Sequence, residues 1–333
     1  MNIVLISTSA LRTPPEGDRY GGMEREAWWL ADGLGKRGHT VTLVAHPNSQ
    51  KPYGGNLVNW TDERQIHLVV DAINEIGPQD VWIDMSHDHL LSVYRPDLPQ
   101  VNYFSIMSLT GKGINPVFIS HGQKVTKFPS VDGKVIYYGL PLDEYPLYEG
   151  KRENYIIYLG QKIPEKRLEW ACKVSINTRT PLHIYGPGWG PAEYHDRLRA
   201  YAEAHPKLIC IWGEIGGWDK IDRLQHAKAL IHPVGALDWC EAGAICVLEA
   251  LAVGTPCIVS RNGCLPEYIE DSPRRVGFVC DNIIEMCGAV ALVEDINPED
   301  CRIRAMDFTV NRMVTEWESL ARQVADGLYW NTS

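Results

Sequence analysis

Short apolar runs alternate with amphipathic segments in the first half of the chain. Residues 2–8 (NIVLIST) and 39–46 (HTVTLVAH) are rich in aliphatic and β-branched side chains, which is typical of buried strands. Between them, residues 23–35 repeat apolar positions every three or four residues, which predicts an amphipathic helix. Its apolar stripe consists of Met23, Ala27, Leu30, Ala31 and Leu34. A further helix is expected over residues 61–76, and further strands are VWIDMSH, VNYFSI, PVFISH and KVIYYGL.

A polar, proline-containing segment, PLDEYPLYEGKREN at residues 141–154, interrupts this alternation and predicts a linker. The alternation then starts again with the apolar run YIIYLG at residues 155–160. The later strands are PLHIYG, KLICIWG, ALIHPV, TPCIVS and VGFVC. Helices are expected from Glu165, after Pro191, near residues 218–226 and over residues 245–253. Strands separated by helices favour parallel sheets that are covered on both faces.

The predicted fold class is therefore α/β, with two Rossmann-like, doubly wound domains. The N-terminal domain is expected to cover residues 1–145 and the C-terminal domain residues 146–309. A helical pattern within residues 310–333 is expected to return to the N-terminal domain. The two domains are expected to face each other across a cleft, and open α/β sheets bind ligands beyond the carboxyl ends of their strands.

The charge and hydropathy of the chain indicate which partners and cellular environments are disfavoured. A formal net charge of −10 over 333 residues argues against a partner bound mainly through its phosphates, which needs a basic face. A nucleic-acid acceptor is thus disfavoured, although a mildly basic segment leaves it open. That segment contains Lys112, Lys124, Lys127 and Lys134. The longest apolar runs are far shorter than a membrane span, and the N-terminus lacks the features of a signal peptide, so we expect a cytoplasmic protein.

The nine cysteines give no indication of a metal site. All lie between Cys172 and Cys301, none forms a Cys-x-x-Cys pair, and several fall within predicted strands. Zinc binding or disulfides remain possible roles, but these contexts favour reduced, mostly buried thiols.

The stretch WCEAGAICVLEALAVGTP, at residues 239–256, carries two glutamates in an apolar setting. On one continuous helix Glu241 and Glu249 would lie about 80° apart, so they would not share a face. A helix that begins at Ile245 instead leaves free amides beside the small residues that precede it, where a phosphate would be favoured. Each glutamate could then hold a sugar on one side of a diphosphate. The alternative is a capped helix with two solvated glutamates.

The same stretch resembles the signature of the family-four retaining glycosyltransferases, which have the two-domain GT-B fold. The resemblance rests on Glu-x7-Glu followed by Ala250 and by Gly-Thr-Pro at residues 254–256. It extends over most of the chain. Other segments that resemble the family are YGGMEREAWWLADGLGKRGHTVTLVA, MSHDH, YLGQKIPEKR, GEIGGWDKIDRL and NGCLPEYIED.

The resemblance implies a role for each matching residue of the C-terminal domain. Glu249 would bind the ribose hydroxyls of the nucleotide, and Glu241 the hydroxyls of the transferred sugar. Lys166 would neutralise the donor diphosphate. The alternative is that it is a solvated lysine, as lysines on strand-to-helix loops usually are. Other positions are implied in donor binding: Gly160, Gln161, Ile215, Ala242, Gly243, Ala244 and, as a weaker candidate, Gly186.

In the N-terminal domain the resemblance implies two further sites. Gly22, with Gly21 beside it, would let the backbone approach the phosphates or the acceptor, whereas the alternative is a turn glycine. His89, with His87 nearby, would contact the transferred sugar, whereas a lone histidine more often has a structural role. We assign His89, Lys166 and Glu241 as the candidate catalytic residues.

Two positions depart from the family pattern. Gln161 stands where the family has an arginine, so one of two expected phosphate cations is missing. Lys162 or Arg167 could substitute, although neither is at the matched position. The usual Glu-Pro-Phe-Gly is replaced by Glu-Ala-Gly-Ala at residues 241–244.

The function implied is transfer of a sugar, with retention, from a nucleotide diphosphate sugar of UDP or GDP type to an acceptor hydroxyl. The acceptor would be a small molecule or a glycan, and the resemblance implies neither a metal nor a cofactor. The alternatives are a sugar-nucleotide epimerase, a phosphorylase, or a non-catalytic sugar-nucleotide-binding protein. A dinucleotide dehydrogenase is disfavoured because no G-x-G-x-x-G follows the first strand.

Overall fold

The computed structural model describes residues 1–17, 20–104, 113–235 and 238–331, which form two compact α/β units. The first unit contains the described residues of 1–16, 21–139 and 309–331. The second contains those of 140–308, together with residues 17 and 20. Within the described residues, no helix has the length and apolar character needed to cross a bilayer. All nine cysteines are described and are free thiols.

The first unit is built on a parallel sheet with the strand order β3-β2-β1-β4-β5-β6-β7. The strands are β1 (Asn2–Ile6), β2 (Thr40–Ala45), β3 (Asn56–Asn59), β4 (Val81–Asp84), β5 (Gln100–Phe104), β6 (Pro116–Phe118) and β7 (Lys134–Val135). The strand order reverses beside β1, and such a reversal opens a crevice at the carboxyl ends of β1 and β4. Helices α1 to α4 are Gly22–Lys36, Ile66–Ile76, Leu91–Tyr94 and His121–Lys127.

The second unit contains a parallel sheet with the order β10-β9-β8-β11-β12-β13. Its strands are β8 (Ile156–Leu159), β9 (Leu182–Tyr185), β10 (Ile209–Ile211), β11 (Ala229–His232), β12 (Cys257–Ser260) and β13 (Gly277–Cys280). Its helices α5 to α11 are Leu168–Thr178, Ala192–Ala204, Gly217–His226, Ile245–Ala252, Leu265–Ile269, Ile283–Leu292 and Pro298–Ala305. Here the order reverses beside β8, so the loops after β8 and β11 adjoin the crevice.

The last helix, α12 (Val310–Ala325), packs on α1 and on the sheet of the first unit. Trp317 is fully buried on this helix, and its ring meets that of Tyr103 edge to face at 5.2 Å. A side chain at Gly33 on α1 would place its Cβ 2.6 Å from Val314, so the glycine permits the close approach of the two helices.

The chain passes from the first unit to the second earlier than residue 145. The residues from Leu140 onward group with the second unit. The physical reason lies in α11, where the guanidinium of Arg302 donates hydrogen bonds to the carbonyls of Leu142 and Tyr145 at 3.0 and 2.6 Å. Part of the segment predicted as a linker is therefore held by the second unit, and residues 142–144 form a 3-10 turn.

Several elements differ from the prediction because short apolar runs do not fix element ends. The run KVIYYGL contributes only the two residues of β7, and the helix predicted from Glu165 begins at Leu168, after a 3-10 turn over Pro164–Lys166. The part of VNYFSI beyond residue 104 lies outside the described residues. Elements that the sequence analysis did not predict are β3, α3, α4, α9, α10 and α11.

Candidate functional site

A buried ion pair lies beyond the carboxyl ends of β8 and β11. Lys166 donates a hydrogen bond from Nζ to Oε2 of Glu241, and both side chains are almost fully buried. Trp239 donates from Nε1 to the same oxygen at 3.2 Å, and the Lys166 ammonium lies 5.2 Å from the centre of the Trp239 ring. Burial by itself would raise the pKa of Glu241, but the charge of Lys166 holds it well below its usual range. Glu241 is therefore ionised at neutral pH.

The backbone around Glu241 is fixed by the loop that follows β12. The Glu241 amide donates to Oδ1 of Asn262 at 2.7 Å, and the Asn262 amide group donates to the Trp239 carbonyl at 2.8 Å. The Cys264 amide donates to the Glu241 carbonyl at 2.8 Å. Gly263 lies in the left-handed region with φ +52°, and a Cβ there would lie 2.0 Å from the Glu241 carbonyl oxygen. Only glycine therefore allows this loop to hold Glu241 in place.

Helix α8 begins at Ile245, directly after the small residues Ala242, Gly243 and Ala244. Its N-cap, Ala244, makes no side-chain hydrogen bond to the first turn. The first-turn amides of a helix carry partial positive charge and favour an anion. The segment from Glu241 to Ile245 thus joins a carboxylate, a short stretch of small residues and a helix N-terminus. The predicted helix start is as observed, and the helix ends at Ala252 rather than Val253.

Glu249 lies further along α8 and has a different set of partners. Its Oε1 accepts hydrogen bonds from the Tyr145 hydroxyl at 2.8 Å and from Nζ of Lys220 at 2.5 Å. Lys220 is buried on α7, on the side of the helix that also buries Ile221 and Leu224. The sequence analysis missed Lys220 and Tyr145. A lysine within the apolar stripe of an amphipathic helix is the signal that could have identified Lys220.

Lys162 ties together three loops of the second unit. Its ammonium donates to the carbonyls of Gly186 and Trp212, the latter at 2.7 Å, and burial lowers its pKa. Gly186 itself has φ +139°, and a Cβ there would lie 1.8 Å from the Gly160 carbonyl oxygen. The glycines at 160 and 186 therefore allow the loops after β8 and β9 to meet. Gln161, which is half-buried between them, accepts the Tyr158 hydroxyl on its backbone carbonyl at 2.9 Å.

Arg167 follows Lys166 and adopts the left-handed conformation, with φ 48°. Its guanidinium carbon lies 4.7 Å from the centre of the Trp170 ring. Nη1 of the same group lies 3.8 Å from the position that a Cβ on Gly235 would take, in the loop after β11. The cation is thus directed toward the strand ends. Ile215, half-buried in the loop after β10, lies in the segment predicted to hold the nucleotide base.

In the first unit, Gly21 and Gly22 form the start of α1. Gly21 is the N-cap, with φ +155°, and a Cβ on it would lie 2.5 Å from Cγ of Pro15. Gly22 is the first residue of the helix. Glu24 in the first turn is buried and accepts the Thr8 hydroxyl at 2.5 Å, and burial raises its pKa. Gly21 is therefore needed for the tight turn, whatever else its backbone binds.

The two histidines after β4 have different environments. His87 is partly exposed, and its Nδ1 lies 2.9 Å from Oε1 of Glu63, a hydrogen bond that raises the pKa of His87. His89 is buried in the left-handed conformation at φ 47°, with its ring centre 4.5 Å from that of Phe104. Burial lowers the pKa of His89, and its Nδ1 lies 3.9 Å from Oδ1 of Asp84. Within the described residues neither ring nitrogen of His89 has a hydrogen-bond partner.

The structure therefore brings Lys166, Glu241 and the small residues before α8 together, and it places Glu249 apart from them with Lys220. His87 and His89 belong to the other unit. The residues around Glu241 that sequence reasoning missed are Trp239, Asn262 and His232.

Comparison with known proteins gives a consistent assignment. Residues 146–303 match the family described as Glycosyl transferases group 1. The chain is 23% identical to AviGT4, a glycosyltransferase involved in avilamycin A biosynthesis, with a TM-score of 0.80 over 99% of this chain and 100% of that chain. No curated protein matches the sequence.

Two other solved structures share the architecture. Sucrose-phosphate synthase from Thermosynechococcus elongatus is 13% identical, with a TM-score of 0.77 over 98% of this chain and 100% of that chain. Anabaena Alr3699/HepE in complex with UDP-glucose is 14% identical, with a TM-score of 0.72 over 96% of this chain and 100% of that chain. The predicted fold class is thereby confirmed, because the chain has the GT-B fold, and the predicted resemblance is supported by the match of residues 146–303 to the glycosyl transferases group 1 family.

Proposed function

We propose that the enzyme transfers a sugar, with retention, from a UDP- or GDP-sugar to an acceptor hydroxyl and needs no metal ion. The observation that carries the proposal is the buried Lys166–Glu241 pair beside the N-terminus of α8. A cation and a helix N-terminus favour a diphosphate, while an ionised carboxylate accepts hydrogen bonds from sugar hydroxyls. The same-fold Anabaena protein is a complex with UDP-glucose, which supports a UDP-sugar as the first donor to test.

Glu241 would hold the hydroxyls of the transferred sugar. Its carboxylate is kept ionised by Lys166, and its backbone is fixed by Asn262 and Gly263. A carboxylate that is already fixed in orientation can accept hydrogen bonds from the sugar hydroxyls without moving at the moment of transfer.

Lys166 would stabilise the negative charge that develops on the leaving diphosphate. Departure of this group is the demanding step, and fixed positive groups lower its barrier because they are in place beforehand. The acceptor hydroxyl would attack from the same face, assisted by the leaving phosphate. In this mechanism the protein supplies the positive groups, so a metal ion has no required role.

Glu249 would bind the ribose hydroxyls, with Lys220 and Tyr145 holding its carboxylate in place. In the first unit, the backbone at Gly22 would approach the phosphates or the acceptor, and His89 would contact the transferred sugar. Burial keeps His89 neutral, so it can donate one hydrogen bond and accept another.

We further infer that Arg167, and not Lys162, supplies the second positive charge that the family obtains from an arginine at the position of Gln161. The ammonium of Lys162 is already committed to two backbone carbonyls. The guanidinium of Arg167 is stacked on Trp170 and lies beside Gly235, at the strand ends where the diphosphate would bind. Stacking on an aromatic ring fixes a guanidinium without neutralising it.

Calorimetric titration with UDP, GDP, ADP and dTDP, and with the corresponding glucose conjugates, tests the donor assignment. We expect tight binding of UDP or GDP to the wild type. Glu249→Ala should weaken it by roughly 10- to 100-fold, since a hydrogen bond to a charged group is worth about 1.5–3 kcal/mol. Glu193, which is exposed on α6, provides the matched control Glu193→Ala. Binding of no nucleotide would refute the function, whereas unchanged affinity in Glu249→Ala would refute only the ribose assignment.

The role of Arg167 is tested by Arg167→Gln, with Lys173→Gln on the exposed face of α5 as the control that removes the same charge. We expect Arg167→Gln to weaken binding of the nucleoside diphosphate roughly 10-fold through loss of a charge-assisted contact. Binding of the uncharged nucleoside should not change. Equal affinities of the two variants for the diphosphate would show that Arg167 does not contact it.

A further inference from the structure

His232, the last residue of β11, lies against the Lys166–Glu241 pair and has no role in the family resemblance. Its side chain is buried, and its ring is stacked on that of Tyr158, with centroids 5.8 Å apart and an interplanar angle of 11°. Tyr158 is in turn anchored by the hydrogen bond from its hydroxyl to the Gln161 carbonyl. The plane of the imidazole is therefore fixed from one side by the sheet itself.

The two ring nitrogens of His232 point to two different groups of the candidate site. Nδ1 lies 3.8 Å from Sγ of Cys246 in the first turn of α8. Nε2 lies 3.9 Å from Oε1 of Glu241 and, within the described residues, has no hydrogen-bond partner. A buried nitrogen without a partner costs about 1–3 kcal/mol, so the arrangement needs an explanation.

The oxygen that faces His232 is the one that Lys166 does not hold. Lys166 and Trp239 both donate to Oε2 of Glu241, which leaves Oε1 on the side of the imidazole. A neutral imidazole carries one donor and one acceptor. The tautomer with the proton on Nε2 lets Nδ1 accept from the Cys246 thiol and lets Nε2–H donate toward the carboxylate.

Burial lowers the pKa of His232, which favours the neutral ring at neutral pH. A neutral donor orients Glu241 without adding a second positive charge beside Lys166. The carboxylate would keep its full charge for the hydroxyls of the sugar.

We propose that neutral His232 is a positioning residue that donates its Nε2–H to Oε1 of Glu241 when the donor sugar binds. The inference rests on the proposed function of Glu241 as the ligand of the transferred sugar. The 3.9 Å separation would shorten to about 2.9 Å, the usual length of an N–H···O hydrogen bond. His232 and Lys166 would then fix one oxygen each, so that the remaining lone pairs of Glu241 face the sugar.

The matched pair His232→Gln and His232→Asn tests this role. The amide nitrogen of glutamine can reach the position of Nε2, whereas that of asparagine reaches only the position of Nδ1. We expect His232→Asn to weaken binding of the intact sugar nucleotide and to lower kcat/KM by roughly 10- to 100-fold, with UDP affinity within about 2-fold of wild type. His232→Gln should retain sugar-nucleotide affinity within about 3-fold.

Equal losses in the two variants, or a parallel loss of UDP affinity in His232→Asn, would overturn the proposal. A wild type that binds neither UDP nor a UDP-sugar would instead overturn the proposed function, so the two failures can be told apart. If His232→Asn does not fold, Cys246→Ala and Cys246→Ser keep the test available, because only serine retains a hydroxyl donor to Nδ1. We expect sugar-nucleotide affinity to fall about 3-fold in the alanine variant alone, and equal affinities would contradict the proposed tautomer.

Nitrogen-15 chemical shifts of the wild-type enzyme give a second readout that a merely structural role would not move. The His232 resonances, assigned by their loss in His232→Gln, should show the Nε2–H tautomer at neutral pH. The Nε2–H proton should shift downfield when the sugar nucleotide binds and should not shift with UDP alone. An Nδ1–H tautomer or a charged imidazolium would contradict the inference.

Discussion

Buried carboxylates are stabilised differently in the two units. In the second unit, Glu241 and Glu249 each accept a hydrogen bond from a buried lysine. In the first unit, Glu24 and Glu26 accept hydrogen bonds from hydroxyl groups, and burial raises the pKa of both. The second unit thus holds a charged carboxylate beside a buried ammonium group. In the first unit, burial instead shifts the ionisation of both glutamates toward the neutral acid.

Burial alone does not decide the charge of a glutamate. Glu241 and Glu26 are both buried, but only Glu241 has an ammonium partner, and their pKa values move in opposite directions. Desolvation disfavours the ionised form, and a nearby cation offsets it. The lysine at 166 is therefore the feature that keeps this buried acid ionised.

Removal of the Lys166 ammonium is expected to cause the largest change in the free energy of unfolding. Lys166→Met leaves the buried charge of Glu241 unpaired, so the free energy of unfolding of the second unit should fall by about 3–5 kcal/mol. Urea denaturation followed by tryptophan fluorescence measures it. Sugar transfer should be lost in the same variant.

The double variant Lys166→Met with Glu241→Gln separates stability from function. Because it removes both charges, it should recover most of the lost stability while remaining inactive. A double variant as unstable as Lys166→Met would show that lost packing, and not the unpaired charge, causes the effect.

Substitution of Glu26 in the first unit is expected to raise the free energy of unfolding, by a smaller amount than the loss of Lys166 lowers it. Its pKa in the folded protein is raised, so the folded state binds more protons than the unfolded state above about pH 4.5, and stability falls as the pH rises. Glu26→Gln removes this titration and keeps an oxygen to accept the Tyr103 hydroxyl. The variant should gain on the order of 1 kcal/mol over wild type at pH 8 and less at pH 5, as measured by urea midpoints. A pH-independent difference would contradict the assignment.

The smallest change in the free energy of unfolding is expected at Glu318 on α12. Glu318 lies in the same unit as Glu26, but its pKa is lowered instead of raised. The Arg322 hydrogen bond, with Arg37 and His39, lowers the pKa of Glu318 to about 2. Its stabilising contribution is present above the unfolded-state pKa and is lost as the pH falls toward 2. Glu318→Gln should therefore cost less than about 1 kcal/mol at pH 7, and the difference should shrink below pH 4. A stability loss in Glu318→Gln that grows as the pH falls would contradict the lowered pKa of Glu318 and its pairing with the neighbouring cations.

Much of the fold followed from local pattern. The apolar run at residues 2–8 contains β1, the stripe at 23–35 lies within α1, and the segment before Ile245 ends where α8 begins. Two α/β domains were predicted from the alternation alone, and that prediction is confirmed. The missed elements were short or uniformly apolar, such as α9 and α10, where periodicity does not separate strand from helix.

The candidate site could be predicted only in part. The glutamate spacing and the family resemblance singled out Lys166, Glu241 and Glu249, but they gave no partner for any of them. Lys220 and His232 were missed because the glutamate that each one faces lies elsewhere in the sequence. Lys220 stands among other charged residues of α7, and His232 is the single polar residue of β11. The functional roles of these residues stay predictions until the variants are measured.

The alternation of strands and helices, the two-domain α/β class and the glutamate spacing around the start of α8 could be predicted before folding is considered, because they depend on local periodicity and chain order. The folded arrangement was needed to show which lysine pairs with which glutamate, that Lys162 is held by backbone carbonyls, and that His232 faces Glu241. The charge of a buried group depends on neighbours that folding brings from distant segments, and no local pattern records those neighbours.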